Sequence, residues 1–116
     1  MLLIKTELKS SKIHGIGLFT ISSIKKNTVI AELNSFDIKI NLDQIPEEYL
    51  EYFNFYYSKV GTYYQTYFDN MKFMNHSDNP NCIDTEDGKC TAIKDIQAGE
   101  ELTCDYSLIC DMYKKH

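Results

Sequence analysis

The sequence predicts a mainly β domain with one or two short helices. Short apolar or alternating segments are separated by turns rich in glycine, asparagine and lysine, a pattern typical of short strands. Only residues 46–57 place aromatic and aliphatic side chains at helical spacing. Because strands and helices do not alternate along the chain, a doubly wound nucleotide-binding fold is excluded, although residues 15–17 (GIG) resemble part of its glycine fingerprint.

The first part of the chain is predicted to consist of strands joined by tight turns. Residues 14–17 (HGIG) form a glycine loop that leads into an apolar strand. Residues 36–40 alternate with period two, as a half-exposed strand should. The strands expected here cover residues 2–8, 18–21, 29–33 and 36–40.

The predicted helix lies near residues 46–57. Asn41 or Asp43 can cap it, Pro46 suits its first turn, and Glu47 and Glu48 suit the positive end of a helix dipole.

Strands are expected again after the helix, with a hairpin turn at residues 86–88 (EDG) and a second turn at residues 98–99 before the last strand. The remaining predicted elements are strands at residues 63–68, 82–85 and 90–93 and a short terminal helix at residues 108–115.

Composition bounds the class of protein. The chain has 116 residues, which predicts a single domain over 1–116, and its 43% hydrophobic and 25% charged content is typical of a soluble globular protein. The formal net charge is −5 and all 12 basic residues are lysine, which argues against direct nucleic-acid binding. An acidic protein suits a basic partner such as a lysine-rich peptide, although the charge is equally explained by solubility.

Localisation is expected to be cytoplasmic. No apolar run approaches the roughly 18 residues of a membrane span, and residues 1–5 (MLLIK) do not resemble a secretory signal.

The four cysteines, at positions 82, 90, 104 and 110, are expected to be free thiols. No two of them have the close C-x₂₋₄-C spacing of common zinc sites, so no metal is predicted.

Two motifs carry most of the functional information. Residues 75–81 (NHSDNPN) are almost wholly polar and are expected to form an ordered loop, because such side chains bond to their own backbone or fix φ. Residues 99–106 (GEELTCDY) open on a turn glycine and continue as a short strand that ends in a tyrosine. Together they indicate a cofactor-binding loop beside a strand that delivers a phenol.

These motifs carry a family resemblance. The chain resembles the SET domain, the fold of most protein-lysine methyltransferases. Four features occur in the order typical of that family: residues 15–19 (GIGLF), residues 73–81 (FMNHSDNPN), the hairpin, and residues 99–106 (GEELTCDY). The match extends from about residue 4 to residue 106 and is similar to compact bacterial or viral SET proteins. It implies a β-clip fold of several small sheets with a C-terminal pseudoknot, and a closing segment at residues 107–116.

The resemblance implies that the protein is an S-adenosylmethionine-dependent protein-lysine N-methyltransferase. The expected cofactor-binding residues are Gly15, Ile16, Gly17, Asn75 and His76. The Asn75 counterpart binds the methionine moiety of the cofactor, and the backbone at the His76 position binds adenine.

Tyr106 is the expected catalytic residue. By the resemblance, its hydroxyl lies beside the methyl group and the incoming amine, where it orients the nucleophile rather than acting as a strong base. One of Tyr63, Tyr64 and Tyr67, with Tyr63 and Tyr67 preferred, is expected to line the lysine channel, although ordinary packing is the alternative explanation for each. Cys104 stands where many SET enzymes have Phe or Tyr. A smaller side chain there is expected to leave room either for higher methylation or for a water molecule, so the number of methyl groups added stays open.

An alternative function is a non-catalytic SET-like interaction module that still binds S-adenosylmethionine. The expected partner is a lysine-containing protein or peptide.

Zinc-bearing SET proteins have a cysteine at the position of Asp78 and a C-terminal cysteine cluster, whereas this chain has only Cys110 after Tyr106. The channel must then be closed by residues 107–116 or by a second subunit, which would make the protein a homodimer.

Overall fold

The computed structural model describes residues 1–34, 37–56, 58–60, 62–85 and 88–105. These residues form several small sheets and one short α-helix, which confirms the mainly β class. The strands are β1 (Thr6–Ser10), β2 (Ile16–Thr20), β3 (Val29–Glu32), β4 (Ile38–Asn41), β5 (Ser58–Val60), β6 (Tyr63–Thr66), β7 (Asn75–His76), β8 (Cys82–Asp84), β9 (Lys89–Ala92) and β10 (Thr103–Cys104). The α-helix is α1 (Leu50–Tyr56), and 3₁₀ turns lie at Leu42–Gln44, Glu47–Tyr49 and Asn70–Phe73.

The strands pair into four sheets within the described residues. β1 and β2 form an antiparallel hairpin, while β3-β9-β8 and β4-β6-β5 are antiparallel three-stranded sheets. β7 and β10 are parallel, with Asn75 opposite Thr103 and His76 opposite Cys104. A parallel pair needs a long crossover connection, and here residues 77–102 supply it.

Several element boundaries differ from the sequence expectations. The first strand begins at Thr6 instead of Leu2, because the N-terminal residues lie along β3, where the Leu3 amide donates to the Ile30 carbonyl over 2.8 Å. The helix begins at Leu50, since the residues after Pro46 first form a 3₁₀ turn. β5 and the 3₁₀ turn at Asn70–Phe73 were not expected from the sequence. Tyr106 and the expected terminal helix at 108–115 lie outside the described residues.

The core lies where the small sheets meet. Its fully buried side chains include Leu18 of β2, Ile30 of β3 and Leu102, which precedes β10. Burying each of these side chains contributes about 1.5–3 kcal/mol relative to leaving it exposed. Among the described residues, no helix is both long enough and apolar enough to cross a membrane.

The C-terminal motif is held between β2 and the polar loop. On one side, the Leu102 amide donates to the Leu18 carbonyl over 2.8 Å. On the other side, the Thr103 amide donates to the Asn81 side-chain oxygen over 2.9 Å. The two motifs singled out in the sequence therefore lie against each other and beside the glycine loop.

Candidate functional site

The glycine loop is an ordered turn. The Ser11 amide donates to the Gly15 carbonyl over 2.8 Å, and the Ser11 hydroxyl accepts hydrogen bonds from the amides of Ile13 (2.9 Å) and His14 (3.3 Å). Gly15 has φ +45°, a left-handed conformation that an L-residue adopts only at a cost. Open space surrounds the position that a Gly15 side chain would occupy. Gly15 is thus required by the backbone conformation of the turn.

Asn75 joins the polar loop to the glycine loop. Its side chain is 8% exposed, and Nδ2 donates to the carbonyl oxygens of His14 (3.0 Å) and Ile16 (3.3 Å). Nδ2 also donates to Oε2 of Glu101 over 2.9 Å. The buried Asn75 amide therefore links the polar loop to the glycine loop, and among the expected cofactor-binding residues it contacts Ile16 directly.

Glu101 and Ser11 complete this arrangement, although neither was expected from the sequence. The Ser11 Oγ lies 2.8 Å from Oε1 and 2.9 Å from Oε2 of Glu101, so its single proton is shared by the two oxygens. A Cβ at Gly17 would lie 2.8 Å from Glu101 Cδ and 3.1 Å from Ser11 Cβ. Gly17 thus lacks a side chain at the point where the Glu101 carboxylate lies against β2, and no local sequence signal indicates this contact.

His76 lies next to Asn75 and faces two carboxylates. Its Nε2 is 2.9 Å from Asp78 Oδ1, and its Nδ1 is 3.7 Å from Asp105 Oδ1. Its side chain is half-buried, and the backbone at this position is held by β7, which continues with the Ser77 amide donating to the Cys104 carbonyl over 3.0 Å. The side chain therefore links the polar loop to the end of the C-terminal motif.

Tyr106 lies two residues after the end of β10 in the sequence. β10 ends at Cys104, and Asp105 is the last residue described, so the catalytic role of Tyr106 stays a prediction.

The expected channel residues lie in different surroundings. Tyr63 belongs to the β4-β6-β5 sheet, where the Lys39 ammonium lies 4.4 Å from the centre of its ring. Tyr67 packs against the core. Its pKa is raised above the usual range, mainly by burial and to a smaller extent by the negative charge of the nearby Asp84. Cys104 is 3% exposed and belongs to the core itself. A channel role for these three residues stays a prediction.

Asp84 is an unusual carboxyl group at the edge of this core. Burial raises its pKa to about 6, and a hydrogen bond from the Cys90 thiol offsets part of that rise. Cys90 lies directly opposite Asp84 in the β8–β9 pair.

The acceptors around Asn75 suit the two cationic groups of S-adenosylmethionine, its ammonium and its sulfonium. Three acceptors share the two protons of Asn75 Nδ2, so the region has more acceptors than donors. In addition, the Asn75 Oδ1 has no hydrogen-bond partner among the residues the structure describes. An acceptor-rich site with a carboxylate suits a ligand that carries an ammonium and a sulfonium group.

A metal centre is not formed by the described part of the chain. There, no group of three or more His, Cys, Asp or Glu side chains is arranged to hold an ion. Cys82, Cys90 and Cys104 are buried free thiols.

Many solved structures resemble this fold, and two of them illustrate the likeness. One is a candidate histone methyltransferase of Plasmodium falciparum, PFL0690c, with 23% identity and a TM-score of 0.70 over 90% of this chain and 95% of that chain. The other is a humanized mutant of the Chaetomium thermophilum Polycomb Repressive Complex 2 bound to the inhibitor GSK126, with 22% identity and a TM-score of 0.71 over 91% of this chain. This chain spans only 15% of that second protein's length. At these identities the likeness establishes the fold.

The sequence itself identifies the family. No curated protein matches the sequence. The family model of the SET domain, in contrast, matches residues 15–107, which include the glycine loop, the polar loop and the C-terminal motif. The chain therefore belongs to the SET domain family.

Proposed function

We propose that the protein is an S-adenosylmethionine-dependent protein-lysine N-methyltransferase. Membership of the SET domain family supports lysine methylation at the level of the family. The observation that carries the proposal is the hydrogen bonding of Asn75, at the start of β7, to the glycine-loop carbonyls and to Glu101. The partner strand of β7, β10, ends two residues before Tyr106.

The cofactor site would be formed by the two loops. Gly15, Ile16 and Gly17 present backbone to the ligand, while the Asn75 Oδ1 accepts from its ammonium group and the backbone at His76 contacts adenine. When bound, the cofactor supplies an electrophilic methyl group. The chain's own task is to align an amine with that group and to exclude water.

Tyr106 would orient the substrate amine. Its position in the sequence supports this role, because Tyr106 lies two residues after β10, and β10 pairs with β7, which begins at Asn75 of the proposed cofactor site. The substrate would be a lysine of a basic protein segment, which the net charge of −5 favours. That the protein acts in the cytoplasm, and that a second subunit closes the channel, stay predictions.

The test combines binding with methyl transfer. Calorimetry of the 116-residue chain with S-adenosylmethionine should give saturable binding that Asn75→Ala abolishes. Transfer of a labelled methyl group to core histones or a lysine-rich peptide pool should be lost in Tyr106→Phe, while that variant still binds the cofactor. Absence of binding by the wild type would overturn the proposal. Binding without transfer to either probe would favour the non-catalytic interaction module instead.

A further inference from the structure

Glu101 is hydrogen-bonded to two separate elements of the proposed cofactor site. Its carboxylate accepts from the Ser11 hydroxyl, which organises the turn before β2, and from the Asn75 amide, which begins β7. The same side chain lies against Gly17, where an added Cβ would force the Glu101 carboxylate to move. Glu101 therefore fixes the distance between the glycine loop and the polar loop.

The surroundings of Glu101 are richer in acceptors than in donors. Ser11 has one proton, which is shared by both carboxylate oxygens, and Asn75 Nδ2 has two protons for three acceptors. Among the described residues, the carboxylate forms no ion pair with a lysine or histidine. A half-buried carboxylate without a cationic partner favours a positively charged ligand nearby.

We propose that Glu101 is a positioning residue of the cofactor site and that its charge makes the site prefer the positively charged methyl donor over the neutral thioether left after transfer. The inference rests on the proposed function, because it assumes that S-adenosylmethionine binds between these two loops. S-adenosylmethionine and S-adenosylhomocysteine differ by a methyl group and one positive charge. The ratio of their affinities therefore reports the charge of the site, whereas a change in the geometry of the site weakens the binding of both ligands.

Two substitutions separate charge from geometry. Glu101→Gln keeps the length of the side chain, and its amide can still accept from Asn75 and donate to Ser11, but the charge is lost. Ser11→Ala keeps the charge and removes one hydrogen bond that holds the carboxylate. Glu100→Gln is the matched control, since Glu100 is an exposed neighbour whose side chain accepts only from the Gln97 amide in the described structure.

The experiment is calorimetric titration of each full-length variant with both ligands, after thermal melting has shown that the variant is folded. Glu101→Gln should raise the dissociation constant for S-adenosylmethionine about tenfold and that for S-adenosylhomocysteine less than about threefold. Ser11→Ala should weaken both ligands by similar factors, and Glu100→Gln should change neither.

Equal effects of Glu101→Gln on the two ligands, or no effect on either, would overturn the inference while leaving the proposed function intact. Wild-type protein that binds neither ligand would instead overturn the proposed function.

Discussion

Asn81 and Thr103 are joined by two hydrogen bonds in opposite directions. The Thr103 amide donates to Asn81 Oδ1 over 2.9 Å, and the Asn81 amide donates to Thr103 Oγ1 over 3.3 Å. Asn81 Nδ2 also donates to the Glu101 carbonyl over 2.8 Å, and both side chains are buried. The end of the polar loop is thereby fixed to the strand that precedes Tyr106, so the two sequence motifs form one structural unit.

We expect Asn81→Ala to destabilise the protein strongly. The substitution leaves the Thr103 amide and the Glu101 carbonyl without their partners in a buried region, which costs about 2–3 kcal/mol of unfolding free energy. Urea denaturation measures this cost. Asn79→Ala is the control from the same loop, because Asn79 is exposed and, within the described part of the chain, its one hydrogen bond runs from its backbone amide to the Ser77 hydroxyl. Equal losses for the two variants would contradict this role of Asn81.

The two loop glycines should respond differently to substitution by alanine. Gly15→Ala places a side chain in open space and costs about 1–2 kcal/mol through its positive φ. Gly17→Ala forces the Glu101 carboxylate and Ser11 to move, and overpacking of this kind costs about 1–3 kcal/mol.

A double-mutant cycle distinguishes the two causes. In a Glu101→Ala background, Gly17→Ala should cost about 1 kcal/mol less than it does in the wild type, because the clashing carboxylate is gone. Gly15→Ala should cost the same in both backgrounds. Urea denaturation of the single and double variants gives the coupling, and strict additivity for Gly17 would show that its role lies elsewhere.

Much of the fold could be predicted because its signals are local. Period-two alternation identified β4, although its bounds are shifted, and the turn around residues 86–88 correctly separated β8 from β9. β7 could not be predicted in this way. Asn75 and His76 are loop-forming residues that become a strand only because residues 103–104 pair with them, and such pairing over 28 positions leaves no local pattern.

Only part of the candidate site could be predicted, because some of its contacts also join residues that are far apart in the sequence. Ile16 and Asn75 belong to motifs that the family resemblance identifies, and the structure joins them by a hydrogen bond from Asn75 Nδ2 to the Ile16 carbonyl. Glu101 belongs to the C-terminal motif, but the sequence alone indicates no role for it, because two adjacent glutamates look alike in sequence. Only the fold shows that Glu101 lies against Gly17 while Glu100 is exposed.

The buried thiols should resist modification in the native protein. Cys82, Cys90 and Cys104 are each at most 3% exposed. Burial raises the pKa of Cys104, and a hydrogen bond with Cys82 together with burial raises that of Cys90. In a Cys110→Ser background, labelling by a thiol-specific disulfide reagent should be on the order of a hundredfold slower in the native state than in denaturant. Rapid labelling of the folded protein would contradict the burial of these side chains.

Asp84 should make the protein less stable as the pH rises from about 4 to about 6. Burial raises its folded-state pKa from 3.8 to about 6, so the native state binds a proton more tightly than the unfolded chain does in this window. The stabilisation is present below pH 4 and is lost as the carboxyl ionises, at a cost of at most about 3 kcal/mol.

Asp84→Asn should therefore be more stable than the wild type at pH 8 by up to this amount, and the difference should shrink towards pH 4. Urea midpoints at pH 4, 5, 6 and 8 measure it, with the exposed Asp43→Asn as a control. A difference between Asp84→Asn and wild type that is independent of pH would show that the Asp84 carboxyl does not titrate in this range.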